Sequence, residues 1–217
     1  MRKIIGLTVA ALLVMGLVGG GTWAYFSDTE TSGTNVLSAG TLDLTLGGAT
    51  APFSIAGMQP GDSGDPEVSW TLTQSGSLSG NLTIAMGTVT NNENTIWEPE
   101  SDQGDTTDGA NEGELGSKVK IALWLDEGND GWDDANDLYL IDGGTTQAWT
   151  SGSSVPTAAY DFIDDFSGDS WANVAALSGG GATYFKVSYN FPYGDATDNV
   201  AQSDNCTFDI TFTLQQS

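Results

Sequence analysis

The chain reads as an all-β protein, a jelly-roll-like antiparallel β-sandwich with one or two short helices. Three observations point there. Apolar residues alternate with polar ones through most of the chain. The alternating runs are rich in β-branched and aromatic residues. Gly, Asn, Asp and Pro separate them, as turns between strands require. Each strand of such a sandwich shows one face to the core and one to solvent.

The elements follow in order. Leu42, Leu44 and Leu46 alternate with Thr41, Asp43 and Thr45, giving a first strand. Gln59-Pro60-Gly61-Asp62 is a turn, and Val68, Trp70 and Leu72 repeat the alternation beyond it. Leu78 to Val89 carries Leu82, Ile84 and Met86 on one face. Thr88 to Ser117 is polar, with eight acids and no basic residue. It reads as a long surface excursion between strands. Lys118 to Asp126 places Val119, Ile121, Leu123 and Leu125 inward, and Lys118, Lys120, Ala122 and Trp124 on the other face. Ser170 to Leu177 sets Trp171, Val174 and Leu177 at helical spacing, with Gly179 as a stop, so a short helix is expected there. Thr183 to Phe191 gives Phe185, Val187, Tyr189 and Phe191, and Phe208, Ile210, Phe212 and Leu214 end the chain as a last strand.

The start of the chain is of another kind. Arg2 and Lys3 precede an apolar, glycine-interrupted run from Ile4 to Gly21. Thr22-Trp23-Ala24 offers small residues at −3 and −1 of a cleavage site. This is the pattern of a secretory signal over residues 1–24, cut between Ala24 and Tyr25. A membrane anchor is the competing reading, although the run is barely long enough to span a bilayer. After cleavage no stable anchor is expected.

The segment Gly19-Gly20-Gly21-Thr22-Trp23-Ala24-Tyr25-Phe26-Ser27-Asp28, followed by Ala39-Gly40-Thr41-Leu42-Asp43-Leu44, resembles the TasA/camelysin family of secreted prokaryotic surface proteins. The strongest match covers about the first fifth of the chain. Asn199-Val200-Ala201-Gln202-Ser203-Asp204-Asn205 is similar to an element near the end of such proteins. It reads as turn chemistry that sets the register of the final strand, with a ligand role as the lesser alternative. The resemblance implies jelly-roll subunits of biofilm-matrix fibres or bundling pili, joined by an N-terminal strand donated to the neighbour. Together with the residue patterns it gives a domain division: signal 1–24, donor strand and linker 25–40, and sandwich 41–217 with an acidic insertion near 88–117. Tyr25 to Val36 would be a free N-terminus with Tyr25 and Phe26 as apolar assembly anchors, and pairing it to an open sheet edge would be β-augmentation. A homo-oligomeric filament is the expected assembly, with other matrix proteins as further partners.

Charge narrows the partners. Acids outnumber basic residues 29 to 5, and the formal charge is −24. Such a surface repels nucleic acid and anionic membranes and attracts divalent cations. The best chemical motif is Asp126 to Asp137, directly after a strong strand. In an EF-hand-type frame, Asp126, Asp130, Asp134 and Asp137 fall at positions 1, 5, 9 and 12, Gly131 at 6, and the Trp132 carbonyl at 7. Position 3 is Gly128, which has no side-chain oxygen, and Asp137 stands where a longer Glu is usual. A structural Ca2+ in a hairpin loop is expected; an acidic turn without an ion is the plainer reading.

Catalysis finds little support. The chain has no histidine, so neither a helical two-histidine zinc motif nor a Ser-His-Asp triad is available. Camelysin relatives have been described as metallopeptidases, which keeps a hydrolase among the readings. A monomeric calcium-bound adhesin or glycan-binding module is the alternative to a fibre subunit. Cys206 is the one cysteine, so no intramolecular disulfide forms.

Overall fold

The computed structural model describes residues 27–31, 42–48, 58–96, 98–133, 135–194 and 196–216. In chain order the elements are β1 (Ser27–Thr31), β2 (Leu44–Gly48), β3 (Ser63–Gln74), β4 (Gly80–Met86), β5 (Thr90–Asn92), α1 (Glu98–Asp102) and α2 (Leu115–Lys118). They continue with β6 (Lys120–Asp126), β7 (Leu138–Ile141), β8 (Thr145–Ala148), β9 (Asp161–Phe162), β10 (Ser170–Leu177), β11 (Ala182–Asn190), β12 (Asn205–Thr207) and β13 (Ile210–Gln216). One sheet has the order β1-β13-β4-β10. The other runs β2-β3-β11-β6-β7-β8, with β9 also paired to β6. A small third sheet joins β12 to β5. The pairings are antiparallel.

The alternation seen in the sequence builds the core. Leu82, Ile84 and Met86 from one sheet meet Trp70, Leu72, Phe185, Val187, Leu123 and Leu125 from the other. Phe185 and Phe212 cross between the sheets, ring centroids 5.1 Å apart and nearly perpendicular. Trp70 stacks on Phe185 at 5.8 Å. Such aromatic pairs add roughly 0.5–1.5 kcal/mol to the area they bury.

Three expectations change. First, Ser170 to Leu177 is a strand, not a helix. Its pairing shifts by two residues between Trp171, opposite Ile84, and Ala175, opposite Leu82. Asn173 lies inside this bulge with φ of 56°. The extra residues reset the strand's phase, so Trp171, Val174 and Leu177 are all buried at a spacing of three. Trp171 is also tied to β7 through Nε1, which donates to the Ile141 carbonyl at 2.7 Å. The short helices lie in the acidic excursion instead.

Second, β6 is buried on both faces. Ala122 and Trp124, expected outward, pack with Trp132, Tyr139, Val155 and Ala159 in a second apolar cluster. The chain between β6 and β9 folds back over the sheet and supplies that cover. Trp124 Nε1 donates to Ser188 Oγ at 3.0 Å, and Ser188 Oγ donates to Asp65 Oδ1 at 2.7 Å.

Third, the excursion is not merely a solvated surface. β5 ties it to β12, and Glu93 and Glu100 are buried at 4% and 0% exposure. Among the described residues, no helix is long and apolar enough to cross a membrane.

Candidate cation centres and the edge strand

The loop from Asp126 to Asp137 joins β6 to β7, and the two strands pair through Trp124 with Tyr139 and Leu125 with Leu138. Asp126 and Asp137 stand at its base, both fully buried. Asp126 Oδ1 accepts from the backbone N–H groups of Asn129 and Asp130, and Oδ2 from that of Gly131 at 2.9 Å. Lys186 Nζ donates to the same Oδ2 at 2.5 Å. Asp137 accepts from the N–H groups of Glu127 at 3.3 Å and Asp133 at 2.9 Å. Asp130 is exposed, the Trp132 side chain is buried in the second cluster, and Asp134 lies outside the described residues. The loop thus brings Asp126 and Asp137 together, with their oxygens engaged by backbone donors and one ammonium.

The chain's N-terminal strand lies at a sheet edge. β1 pairs with β13 from Ser27 opposite Gln215 to Thr31 opposite Thr211. A wholly free N-terminus is therefore corrected: Ser27–Thr31 occupies the edge of its own sheet. On its other side β13 pairs with β4, so β1 is all that separates β13 from an open edge. The expected cut at Ala24–Tyr25 and the anchors Tyr25 and Phe26 lie outside the described residues.

A second carboxylate group is assembled by the fold. One oxygen from each of Glu93, Asp105 and Glu114 lies within 4.8 Å of the others. The same is true of Glu93, Glu100 and Asp204. Glu93 follows β5, Glu100 is in α1, Asp105 is in the turn after it, Glu114 precedes α2, and Asp204 precedes β12. Several are oriented through one oxygen. Asp204 Oδ2 accepts from the N–H groups of Glu114 at 2.6 Å and Leu115 at 3.2 Å. Asp105 Oδ1 accepts from Thr107 N–H at 2.9 Å and its hydroxyl at 2.7 Å. Glu93 Oε1 accepts from Thr95 N–H at 3.2 Å.

Burial and like charge act on these groups. Burial, then Asp204, pushes Glu93 up to about 7. Burial, then the charges of Asp105, Glu93 and Glu100, pushes Glu114 up to about 7. Asp204 is raised chiefly by burial, whereas the Thr107 hydroxyl holds Asp105 below its usual value.

Sequence reading missed this group because Asp204 is about ninety residues from Glu114. The signal it left is the row of acids interleaved with Leu115 and two close-packing glycines, Gly113 and Gly116. Cys206 is partly buried, and burial, then Asp164, pushes its thiol up to about 12. Trp124, Trp132 and Trp171 are buried core residues.

A family model described as camelysin metallo-endopeptidase matches residues 1–217. The major biofilm matrix component of Bacillus subtilis (strain 168) is 43% identical over 63 residues. That stretch is 29% of this chain and 24% of the relative, so the chain matches about a quarter of the relative's length.

Proposed function

The chain belongs to the camelysin metallo-endopeptidase family, and from that premise we propose that it is an exported structural subunit of an extracellular matrix fibre or pilus. One observation carries the reading: β1 closes the sheet edge at β13. A strand held at an edge by main-chain bonds can leave its own subunit and bind the same edge of a neighbour with the same pairing. The register Ser27–Gln215 to Thr31–Thr211 would then join subunits head to tail. Such heterologous contacts propagate into filaments when the rotation does not close. The partial identity to a biofilm matrix component supports the setting. Removal of residues 1–24 would release Tyr25 and Phe26 as leading anchors, which links export to assembly.

The family's description also names a metallo-endopeptidase. Zinc peptidases hold their metal mainly through histidine, helped by a carboxylate. This chain has no histidine, and the two groups of converging ligand atoms among the described residues are all carboxylates. That oxygen-only set does not fit a zinc peptidase centre; it fits a hard cation.

The test is electron microscopy of the mature chain, residues 25–217, beside a chain beginning at Asn35. Filaments are expected from the first and monomers from the second. Adding a synthetic peptide of residues 25–34 to the shortened chain should fill the edge and raise its melting temperature without restoring filaments. Filaments of normal length from the shortened chain would remove the N-terminal strand from the mechanism.

A further inference from the structure

We propose that Glu93, Glu100, Asp105, Glu114 and Asp204 form a divalent-cation site of calcium type that fastens the 88–117 excursion to the segment leading into β12 and β13. This site is separate from the loop at Asp126 to Asp137 and does not depend on the fibre reading.

Two carboxylate triads meet at Glu93. Glu93 is only 4% exposed. Its Oε2 is buried and has no hydrogen-bond partner. Asp105 Oδ2, Glu114 Oε2 and Asp204 Oδ1 are buried in the same condition. Three of these carboxylates have their other oxygen engaged by a neighbouring donor: Glu93 through Thr95, Asp105 through Thr107, and Asp204 through Glu114 and Leu115. Outer partners that fix a ligand's orientation in this way are the usual support of a metal centre. An orphaned buried oxygen otherwise costs about 1–3 kcal/mol, and more when charged.

Spacing and charge select the ion. Calcium binds oxygens at about 2.3–2.6 Å, so opposite ligands stand nearly twice that distance apart. In each triad the ligand oxygens lie within 4.8 Å of one another, close enough to share one such ion, and Glu93 belongs to both. The set holds no nitrogen or sulfur, which disfavours zinc. The described chain also brings its lysines elsewhere. Lys118 pairs with Asp198 at 3.9 Å, Lys186 with Asp126, and Lys120 lies over the Phe162 ring at 4.5 Å. A cation from solution supplies the missing counter-charge.

The strands bridged give the ion its role. Four ligands come from the excursion, while Asp204 stands just before β12 and β13. Loading would rigidify the excursion against the strand that carries β1. In an extracellular medium with millimolar calcium, even a weak site fills.

The experiment is calorimetric titration of the chelator-stripped mature chain with calcium chloride, together with thermal melts in calcium and in EDTA. Wild type should bind and melt higher in calcium. Glu93→Gln keeps the side chain's shape and removes one ligand charge; it should weaken binding roughly tenfold or more. In EDTA it should melt no lower than wild type, because a like charge is gone. Asp204→Asn should weaken binding similarly, while Asp130→Asn, in the other loop, should leave this event in place. If Glu93→Gln does not fold by circular dichroism, Glu114→Gln makes the same comparison. Unchanged calcium affinity in the Glu93 and Asp204 variants, loss of binding with Asp130→Asn alone, or no binding by wild type at millimolar calcium would each overturn the site.

Discussion

Lys186 and Asp126 form a pair whose two side chains are 7% and 0% exposed. Such a pair adds little over an apolar substitute, but breaking it leaves one charge stranded at a cost of about 3–5 kcal/mol. Lys186→Met should therefore lose stability of that order in urea unfolding, and Lys186→Met with Asp126→Asn should regain much of it. Gly113 is tight for another reason. A Cβ there would sit 2.8 Å from the Asn92 carbonyl carbon, 2.9 Å from its oxygen and 3.0 Å from Asp204 Cγ. Gly113→Ala should cost about 1–3 kcal/mol through forced backbone movement, read by the same unfolding. Glu93 and Glu114 have native values of about 7 against an ordinary 4.5. With chelator present, the native state then holds more protons than the unfolded chain between those values. Stability should fall as pH rises from about 4.5 to about 7 and stay low above it. Asp105, held below its usual value, is charged throughout that range and does not reverse the sign. Melting in EDTA should be higher at pH 5 than at pH 8; a flat profile would show that the two glutamates do not titrate together with folding.

At the scale of elements, β10 is the instructive case. Trp171, Val174 and Leu177 repeat every three residues, which is the spacing of a helix face. A bulged strand produces the same spacing, because the inserted residues shift which positions point inward. Periodicity alone cannot separate them; the pairing with β4 does. Asn173, exposed and at φ of 56°, marks the bulge. Asn173→Gly should be nearly neutral, whereas Asn173→Val should cost about 1–2 kcal/mol, since a β-branched residue resists that region. Thermal melts of the two variants distinguish a bulge from a helix, in which valine is tolerated and glycine is not. The strands that were legible, β3, β4, β6, β11 and β13, owe it to strict alternation against one core. The outward face of β6 was not legible, because Trp132, Val155 and Ala159 come from irregular chain with no period. The carboxylate group was hidden for a similar reason: its members are polar residues in short elements, and Asp204 joins them only through tertiary folding. The loop at Asp126 to Asp137 was legible as a hairpin connection because it is continuous in sequence.

At the scale of the whole molecule, five residues near the start of the chain cover one edge of the first sheet. β1 is short and lies at the edge of the first sheet, while β13 is flanked by the well-buried β4. The strength of the body and the ease of releasing β1 are therefore separate properties. The acidic surface, with a formal charge of −24, repels other copies at long range, and added salt or divalent cations reduce that repulsion. Filament formation should therefore speed up as salt or calcium rises, measured by light scattering. The direct test of strand exchange uses the register itself. Thr29 is opposite Thr213, and directly opposed positions in an antiparallel pair are close enough for a disulfide. In the mature chain, Cys206→Ser removes the native thiol, and Thr29→Cys with Thr213→Cys introduces the pair. After assembly and mild oxidation, denaturing electrophoresis without reductant should show a ladder of covalent multimers that collapses to monomer on reduction. Filaments that yield only internally linked monomer would contradict exchange and keep β1 within its own subunit.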